Sequence, residues 1–389
     1  MRIAIVVVRY GAEIVGGAES QARGFAEAAA RRGWEVEVWT TCARSHYTWE
    51  NEFPAGSHRE GNVIVRRFPV AKLNLERQGQ IEGRLGTQGH LPVAAQYAWL
   101  GGGAHSILLY EYVAGQAVKF DAVVVLPYAN PMMNLAAWAR PDNVVMWPCL
   151  HDEPYAYMEP IRLLLESVRG VMFNSPEERD LAVKRLRMEL RHEAVLGEGV
   201  TLESYDKLPE RNGNGHSPRD LLYLGRLEGG KNLALLYEYV QRYVEDGGDL
   251  RLVVYGGGPF VPPPHPAFDY RGYVADAAKT SAYASALALC QPSLNESFSL
   301  TVMESWLAGR PALVHADCAV TRGHVERSHG GLWFRTYDEF VGVIEWLGEH
   351  PDLAARMGRN GRSYVEENYT WDVVADRFER ILSQWGRDE

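Results

Sequence analysis

The chain has 389 residues, too long for one small core and about right for two α/β domains. Hydrophobic residues make up 46% and charged residues 23%, the balance of a soluble globular protein. A formal net charge of −10 without a basic stripe excludes nucleic acid as a general partner, so any phosphate binding must come from a few focused groups.

Residues 1–8 are apolar but only a strand's length, and Arg9, Tyr10 and Glu13 follow at once. This start therefore reads neither as a signal peptide nor as a membrane span. A strand is predicted over 2–8, a helix over 18–32 ended by Gly33, and a second strand over 35–41. The loop RYGAEIVGG joins the first strand to the first helix, with Gly16 and Gly17 where the helix begins. Paired glycines there let the backbone approach a phosphate or sugar closely, and a tight strand-to-helix turn would use them equally well.

Near-continuous apolar runs recur at 121–127, 143–150, 170–174 and 194–200. Such runs are parallel strands buried on both faces, and their alternation with helices makes the sheet doubly wound. His151 and Asp152 follow the second run at its carboxyl end, where a histidine can hydrogen-bond a ligand or be satisfied by backbone. Ser175, Pro176 and Glu178 form a helix start with an N-cap, a proline at the first helical position and a capping glutamate. Cys42, Cys149, Cys290 and Cys318 are far apart with no C-x-x-C pair, which reads as reduced thiols in a cytoplasmic protein.

The polar stretch at 208–219, rich in Gly, Asn and Pro, reads as a linker between a first domain of residues 1–207 and a second of residues 220–370. A second α/β series follows, with a strand over 220–225, a helix over 231–246 and a strand over 250–255. Two similar halves imply a cleft between them, where such folds bind ligands. In YLGRLEGGKN, Arg226 and Lys231 flank a short loop at a strand's carboxyl end, a planar fork and a mobile point charge suited to a diphosphate. YGGGP at 255–259 reads as the turn after the next strand.

Residues 295–305 read NESFSLTVMES, placing Glu296 and Glu304 eight positions apart around a helix begun near Ser299. The first-turn N–H groups of that helix and its dipole form an anion site, and Glu304 lies about one turn in. Glu296 sits on the loop after a strand at 287–292, while Gly309 and Pro311 close the helix before a strand at 312–316. The last stretch has helical apolar spacing at Trp371, Val374, Phe378 and Ile381. No Asp-x-Asp motif and no His/Cys cluster with metal-ligand spacing occurs, so neither a metal nor another cofactor is expected.

On Glu296, Phe298, Glu304, Gly309 and Pro311 the chain resembles the retaining glycosyltransferases of the GT-B fold, family 4, whose nucleotide-sugar site carries this E-x7-E pattern. It departs where they carry Gly-Phe-Gly, since Ser297 and Ser299 flank the phenylalanine, and Glu198 to Thr201 replaces their Asn-Gly-Val-Asp. The resemblance implies two Rossmann-like domains facing a cleft, with the final helix, 371–389, crossing back to the first. It also implies transfer of a sugar from a nucleotide-diphosphate-sugar to a carbohydrate, lipid-linked or other hydroxyl acceptor with retention, as in cell-surface polysaccharide or glycolipid synthesis, without a metal. Peripheral association with the inner face of a membrane fits the same activity.

By resemblance, Arg226 and Lys231 hold the donor phosphates together with the Ser299, Leu300 and Thr301 amides. Glu304 takes the ribose hydroxyls, Glu296 the donor sugar, and His151 contacts that sugar from the other domain. Gly16, Gly17 and Phe298 belong to the donor site, and Val274 to the segment along the base. The leaving phosphate itself takes the acceptor proton, so no protein base is assigned. Two other readings stay open: a catalytically inactive nucleotide-sugar-binding subunit and a GT-B sugar epimerase.

Overall fold

A computed structural model describes residues 1–14, 16–202, 205, 219–273 and 276–388. The chain forms two compact units, Met1–Gly199 with Trp371–Glu389, and Val200–Thr370. The expected linker lies outside the described residues except for Arg219, which opens a strand.

The first unit contains β1 (Arg2–Val7), β2 (Glu35–Thr41), β3 (Gly56–Glu60), β4 (Val63–Phe68), β5 (Ala71–Leu73), β6 (Gly103–His105), β7 (Ala122–Leu126), β8 (Val144–Met146), β9 (Gly170–Phe173) and β10 (Glu193–Val195). Its large sheet has the order β10-β9-β8-β7-β1-β2-β4-β3, parallel throughout except for β3 on β4, while β5 and β6 pair as a separate ribbon. Helices α1 (Gly17–Arg31), α2 (Leu75–Gln88), α3 (Val93–Leu100), α4 (Ile107–Gln116), α5 (Pro131–Trp138), α6 (Glu159–Ser167) and α7 (Pro176–Asp180) accompany it. The apolar run of β1 serves both faces: Ala4 and Val6 enter one core with Trp39 and Trp99, and Ile3, Ile5 and Val7 enter the other with Phe25 and Trp147. A run with no polar position after Arg2 can be buried only this way.

Two strands are shorter than the sequence predicts. Residues 143–150 supply only Val144–Met146, because Pro148 has no N–H for the ladder and Cys149 turns to a φ of 56°. Residues 194–200 supply Glu193–Val195, and the chain turns at Gly197, φ 85°.

The second unit contains β11 (Arg219–Leu224), β12 (Leu250–Tyr255), β13 (Phe268–Tyr270), β14 (Ala288–Gln291), β15 (Ala312–His315) and β16 (Gly331–Phe334). They form an all-parallel sheet in the order β13-β12-β11-β14-β15-β16. Helices α8 (Leu233–Glu245), α9 (Asp276–Ser285), α10 (Leu300–Leu307), α11 (Ala319–Ser328), α12 (Tyr337–Glu349) and α13 (Pro351–Asn368) complete it. Leu221 and Tyr223 of β11 face one core, and Leu222 between them faces the other.

The last helix, α14 (Trp371–Asp388), belongs to the first unit, as expected. Its apolar stripe of Trp371, Val374, Phe378, Ile381 and Trp385 is buried in the core that α1 lines, with Trp385 packed on Gly170 and stacked on His192 at 5.4 Å. Phe378 meets Phe25 edge-on at 4.9 Å, and a Cβ on Gly24 would stand 2.1 Å from the Trp371 ring, so only glycine admits that tryptophan. Each such large apolar side chain contributes roughly 1.5–3 kcal/mol on burial. No helix among the described residues is long and apolar enough to cross a membrane.

Candidate functional site

In each unit the chain winds outward from a first strand, returns, and winds the other way. The reversal lies between β1 and β7 in the first unit and between β11 and β14 in the second. Strand carboxyl ends at such a reversal splay their loops apart and leave a crevice, the usual ligand position in open α/β sheets.

In the second unit that position is charged. The loop after β11 carries Arg226 and ends in a short turn, Gly229–Lys231, beyond which Asn232 takes a left-handed conformation that asparagine tolerates. The Asn232 side-chain amide donates to the Pro292 carbonyl at 3.1 Å, tying this loop to the one after β14. Lys231 Nζ consequently lies 2.7 Å from Glu296 Oε1, with the two side chains 17% and 9% exposed. The next loop packs closely on the first: a Cβ on Gly256 would stand 1.8 Å from the Gly225 carbonyl, so YGGGP is a turn shaped by its neighbour.

Gln291, buried at the end of β14, organises the start of α10. Its Nε2 lies within hydrogen-bond distance of Glu296 Oε1 (3.2 Å), Ser299 Oγ (3.3 Å) and Thr301 Oγ1 (3.2 Å). Ser299 is the N-cap with φ 82° and ψ 79°, and its side chain makes no capping bond. Serine therefore occupies a glycine-like conformation. Phe298 is buried, edge-on to His324 at 5.2 Å and to Tyr369 at 4.9 Å, and it anchors the loop from below. The first N–H groups of α10, at Leu300 and Thr301, are those a helix cannot pair internally.

Glu304 lies just past the first turn of α10. Its Oε1 receives Lys279 and its Oε2 the Tyr283 hydroxyl at 2.8 Å, both from α9. Tyr283 is fully buried, and burial followed by the Glu304 charge pushes its phenol well above the ordinary value, so it stays a donor. Arg226 sits apart, 68% exposed and paired with Glu228 at 3.0 Å. Arg226, Lys231 and Lys279 thus balance Glu228, Glu296 and Glu304. The α10 dipole and its amides tip the site toward anions.

The structure joins Lys231, Glu296, Ser299 and Thr301 in one network and places Glu304 in another, with Arg226 in neither. Lys279, Tyr283 and Gln291 were missed by sequence reasoning. The available signal was the i,i+4 spacing of Lys279 and Tyr283, which puts both on one face of α9. Val274 lies outside the described residues. Gly272 next to it has φ 69° and accepts from Gly256 N at 2.8 Å, and Tyr273 is exposed.

In the first unit Gly17 opens α1 and Gly16 caps it in extended backbone. Glu19 of the first turn is held by Arg9, Nη2 to Oε1 at 2.6 Å. His151 lies beyond β8, with Nδ1 3.7 Å from Glu153 Oε1, and Glu153 also accepts the Tyr128 hydroxyl at 2.7 Å. Asp152 accepts the Tyr157 hydroxyl at 2.7 Å and pairs with Arg185. Behind this loop lies a buried polar cluster: Gln21 Nε2 donates to Asn174 Oδ1 at 2.9 Å, and Cys149 Sγ lies 3.1 Å from Gln21 Oε1. The Glu178 carboxyl accepts from the Leu150 and Asn174 amides, and burial raises it to about 8 against the pull of those N–H groups. None of the four cysteines is in a disulfide. Among the described residues no three His, Cys, Asp or Glu side chains gather as a metal cage.

Two α/β units with parallel sheets, reversal points at strand carboxyl ends and a last helix returned to the first unit describe one known architecture. The fold is GT-B. Sucrose-phosphate synthase from Thermosynechococcus elongatus superposes with a TM-score of 0.70 at 16% identity, over 100% of both chains. Anabaena HepE in complex with UDP-glucose superposes with a TM-score of 0.69 at 14% identity, over 99% of this chain and 100% of that one. Residues 218–349, within the charged unit, match the family model of glycosyl transferases group 1. The phosphatidyl-myo-inositol mannosyltransferase of Mycolicibacterium smegmatis is 30% identical over 213 residues, 52% of this chain and 55% of that protein. Matches span 27 to 57% of the length of the first three curated relatives.

Proposed function

We propose that the chain is a glycosyltransferase moving a sugar from a nucleoside-diphosphate sugar to an acceptor hydroxyl with retained configuration. The observation that carries this reading is the Lys231–Glu296 pair, joined through Gln291 to the start of α10 at the reversal point of the second sheet. An ammonium has three N–H donors, so one given to Glu296 leaves the others for phosphate oxygens. Lys231 and the α10 amides would stabilise charge growing on the departing diphosphate, with Arg226 able to swing in from solvent. Glu296 would hold the donor sugar and Glu304 the ribose. That HepE was solved with UDP-glucose supports a nucleotide-sugar as the donor class.

In the reaction the bond from the anomeric carbon to the diphosphate oxygen breaks, and one to the acceptor oxygen forms on the same face. The acceptor proton passes to the leaving phosphate. Retention, family 4 membership and the parts given to His151, Gly16, Gly17 and Val274 enter on the family resemblance. So do polysaccharide or glycolipid synthesis and a cytoplasmic location at the inner face of a membrane. Lys231 and the helix start would neutralise the departing diphosphate without a metal, so EDTA should leave turnover intact.

A thermal-shift screen against UDP, GDP and ADP sugars tests the reading. A ligand at 100 times its Kd adds about 2.7 kcal/mol to the native state, several degrees in melting temperature for a unit of this size. No shift with any donor would overturn it. Proton NMR of the first product then reports the anomer, and a shift without turnover of labelled donor would favour the inactive binding subunit.

A further inference from the structure

We propose that Lys279 and Tyr283 are positioning residues that fix Glu304 as a bidentate acceptor for a vicinal diol, making the site selective for ribonucleoside over deoxyribonucleoside diphosphates. This rests on the nucleoside-diphosphate reading above. An ionised carboxylate offers about four lone-pair positions on two oxygens. In Glu304 each oxygen already has one protein donor: Lys279 Nζ on Oε1, and the Tyr283 hydroxyl, 2.8 Å away, on Oε2. One acceptor position then remains on each oxygen. Two neighbouring hydroxyls, the cis-diol of a ribose, match such a pair, and a 2′-deoxyribose leaves one unmet.

The arrangement is built rather than incidental. Lys279 and Tyr283 stand four residues apart on the face of α9 that meets α10. The Lys279 and Glu304 side chains are 22% and 17% exposed, and Tyr283 is fully buried. A buried phenol must keep its partner, so Tyr283 sets the plane of the carboxylate from below while Lys279 closes it from the solvent side. Lys279 also offsets the Glu304 charge, which would otherwise stand uncompensated where a diphosphate has to approach. Neither residue touches the reacting atoms in this reading.

Isothermal titration of UDP, GDP and ADP and of their 2′-deoxy counterparts, on the full chain, tests both levels. The wild type should prefer the ribonucleotide by roughly tenfold or more, the value of a hydroxyl bound to a charged acceptor. Lys279→Met should bring that preference within about threefold, chiefly by weakening the ribonucleotide, and Lys279→Arg should restore it. Tyr283→Phe should act in the same direction, and melting curves verify that each variant is folded. A merely structural role would weaken both nucleotides alike and leave their ratio unchanged, and that result, or a wild type indifferent to the 2′-hydroxyl, overturns the inference. Failure of the wild type to bind any of the three sinks the donor reading itself, and the inference with it.

Discussion

The two reversal points share a topology and differ in what they hold. At the second, Lys231, Glu296, Lys279 and Glu304 are partly exposed charges joined in pairs, with protein donors that a ligand can share. To one side of the first, where α1 meets the loops after β8 and β9, Gln21, Asn174, Cys149 and Glu178 lie largely or wholly out of solvent and are bonded to one another or to backbone. One unit thus gathers partly exposed charges beside a helix start that favours anions, and the other builds a buried polar lock beside its reversal. Sheet winding fixes where chemistry can occur, and the charge and exposure of loop residues decide whether it does.

Removing Glu178 tests the lock. Glu178→Ala strands the Leu150 and Asn174 amides in a buried site, a loss of about 4 kcal/mol in chemical denaturation of the first unit. Nucleoside-diphosphate affinity of the second unit should stay within about threefold, because Glu178 bonds only to groups of its own unit and shares no partner with Lys231, Glu296 or Glu304. The pH dependence has a definite sign. Folded Glu178 titrates at about 8, raised by burial, against 4.5 ordinarily, so it binds more protons folded than unfolded between those values. Its contribution to stability is full below pH 4.5 and is lost as pH rises to 8. Glu178→Gln should flatten that slope in denaturation series, and an unchanged slope would remove Glu178 as its source.

Lys231 should show the opposite pattern. Lys231→Ala should lower turnover roughly a hundredfold, since the charge it meets grows as the diphosphate leaves, while melting temperature moves little. Arg226→Ala should be at least about tenfold milder, because a solvated guanidinium beside Glu228 adds less than a shielded ammonium. Equal losses would show that Arg226 moves onto the ligand, and near-normal turnover in both would remove the diphosphate from this site.

The sequence made the local features of both regions readable and left their long-range contacts dark, for physical reasons. The second unit announces itself through local rules: a helix start at Ser299, a left-handed Gly309 with φ 70° after the helix, and two carboxylates either side. Those rules act within fourteen residues, 296–309, and survive in any one chain. Lys279 and Tyr283 become partners of Glu304 only because α9 packs on α10, a contact across more than twenty residues with no local signature. Glu178 was legible as a helix-capping residue and reaches further, to Leu150 on another loop. Core strands such as β1 and β12 are plain in their apolar runs, whereas Trp147 to Leu150 reads apolar and yet leaves the sheet at Pro148.

The smallest effect concerns the serine that stands where the resembling enzymes carry glycine. Ser299 holds φ 82°, a conformation that costs an L-residue about 1 kcal/mol or more and glycine almost nothing. Against that strain the hydroxyl has Gln291 at 3.3 Å and Thr301 at 3.4 Å, both long, so its bonds recover only part of the cost. Ser299→Ala keeps the strain and loses the bonds, and should be destabilised by about 1 kcal/mol. Ser299→Gly loses the bonds and the strain together, at the expense of a freer unfolded chain, and should lie within about 1 kcal/mol of the wild type and above the alanine variant. Melting curves rank the three directly. The order wild type, glycine, alanine would show that Gln291 makes serine an adequate substitute for glycine at the helix start. Alanine equal to or above glycine would mean that Ser299 is not strained, and that the loop before α10 owes its shape to Phe298 and the Lys231–Glu296 pair instead.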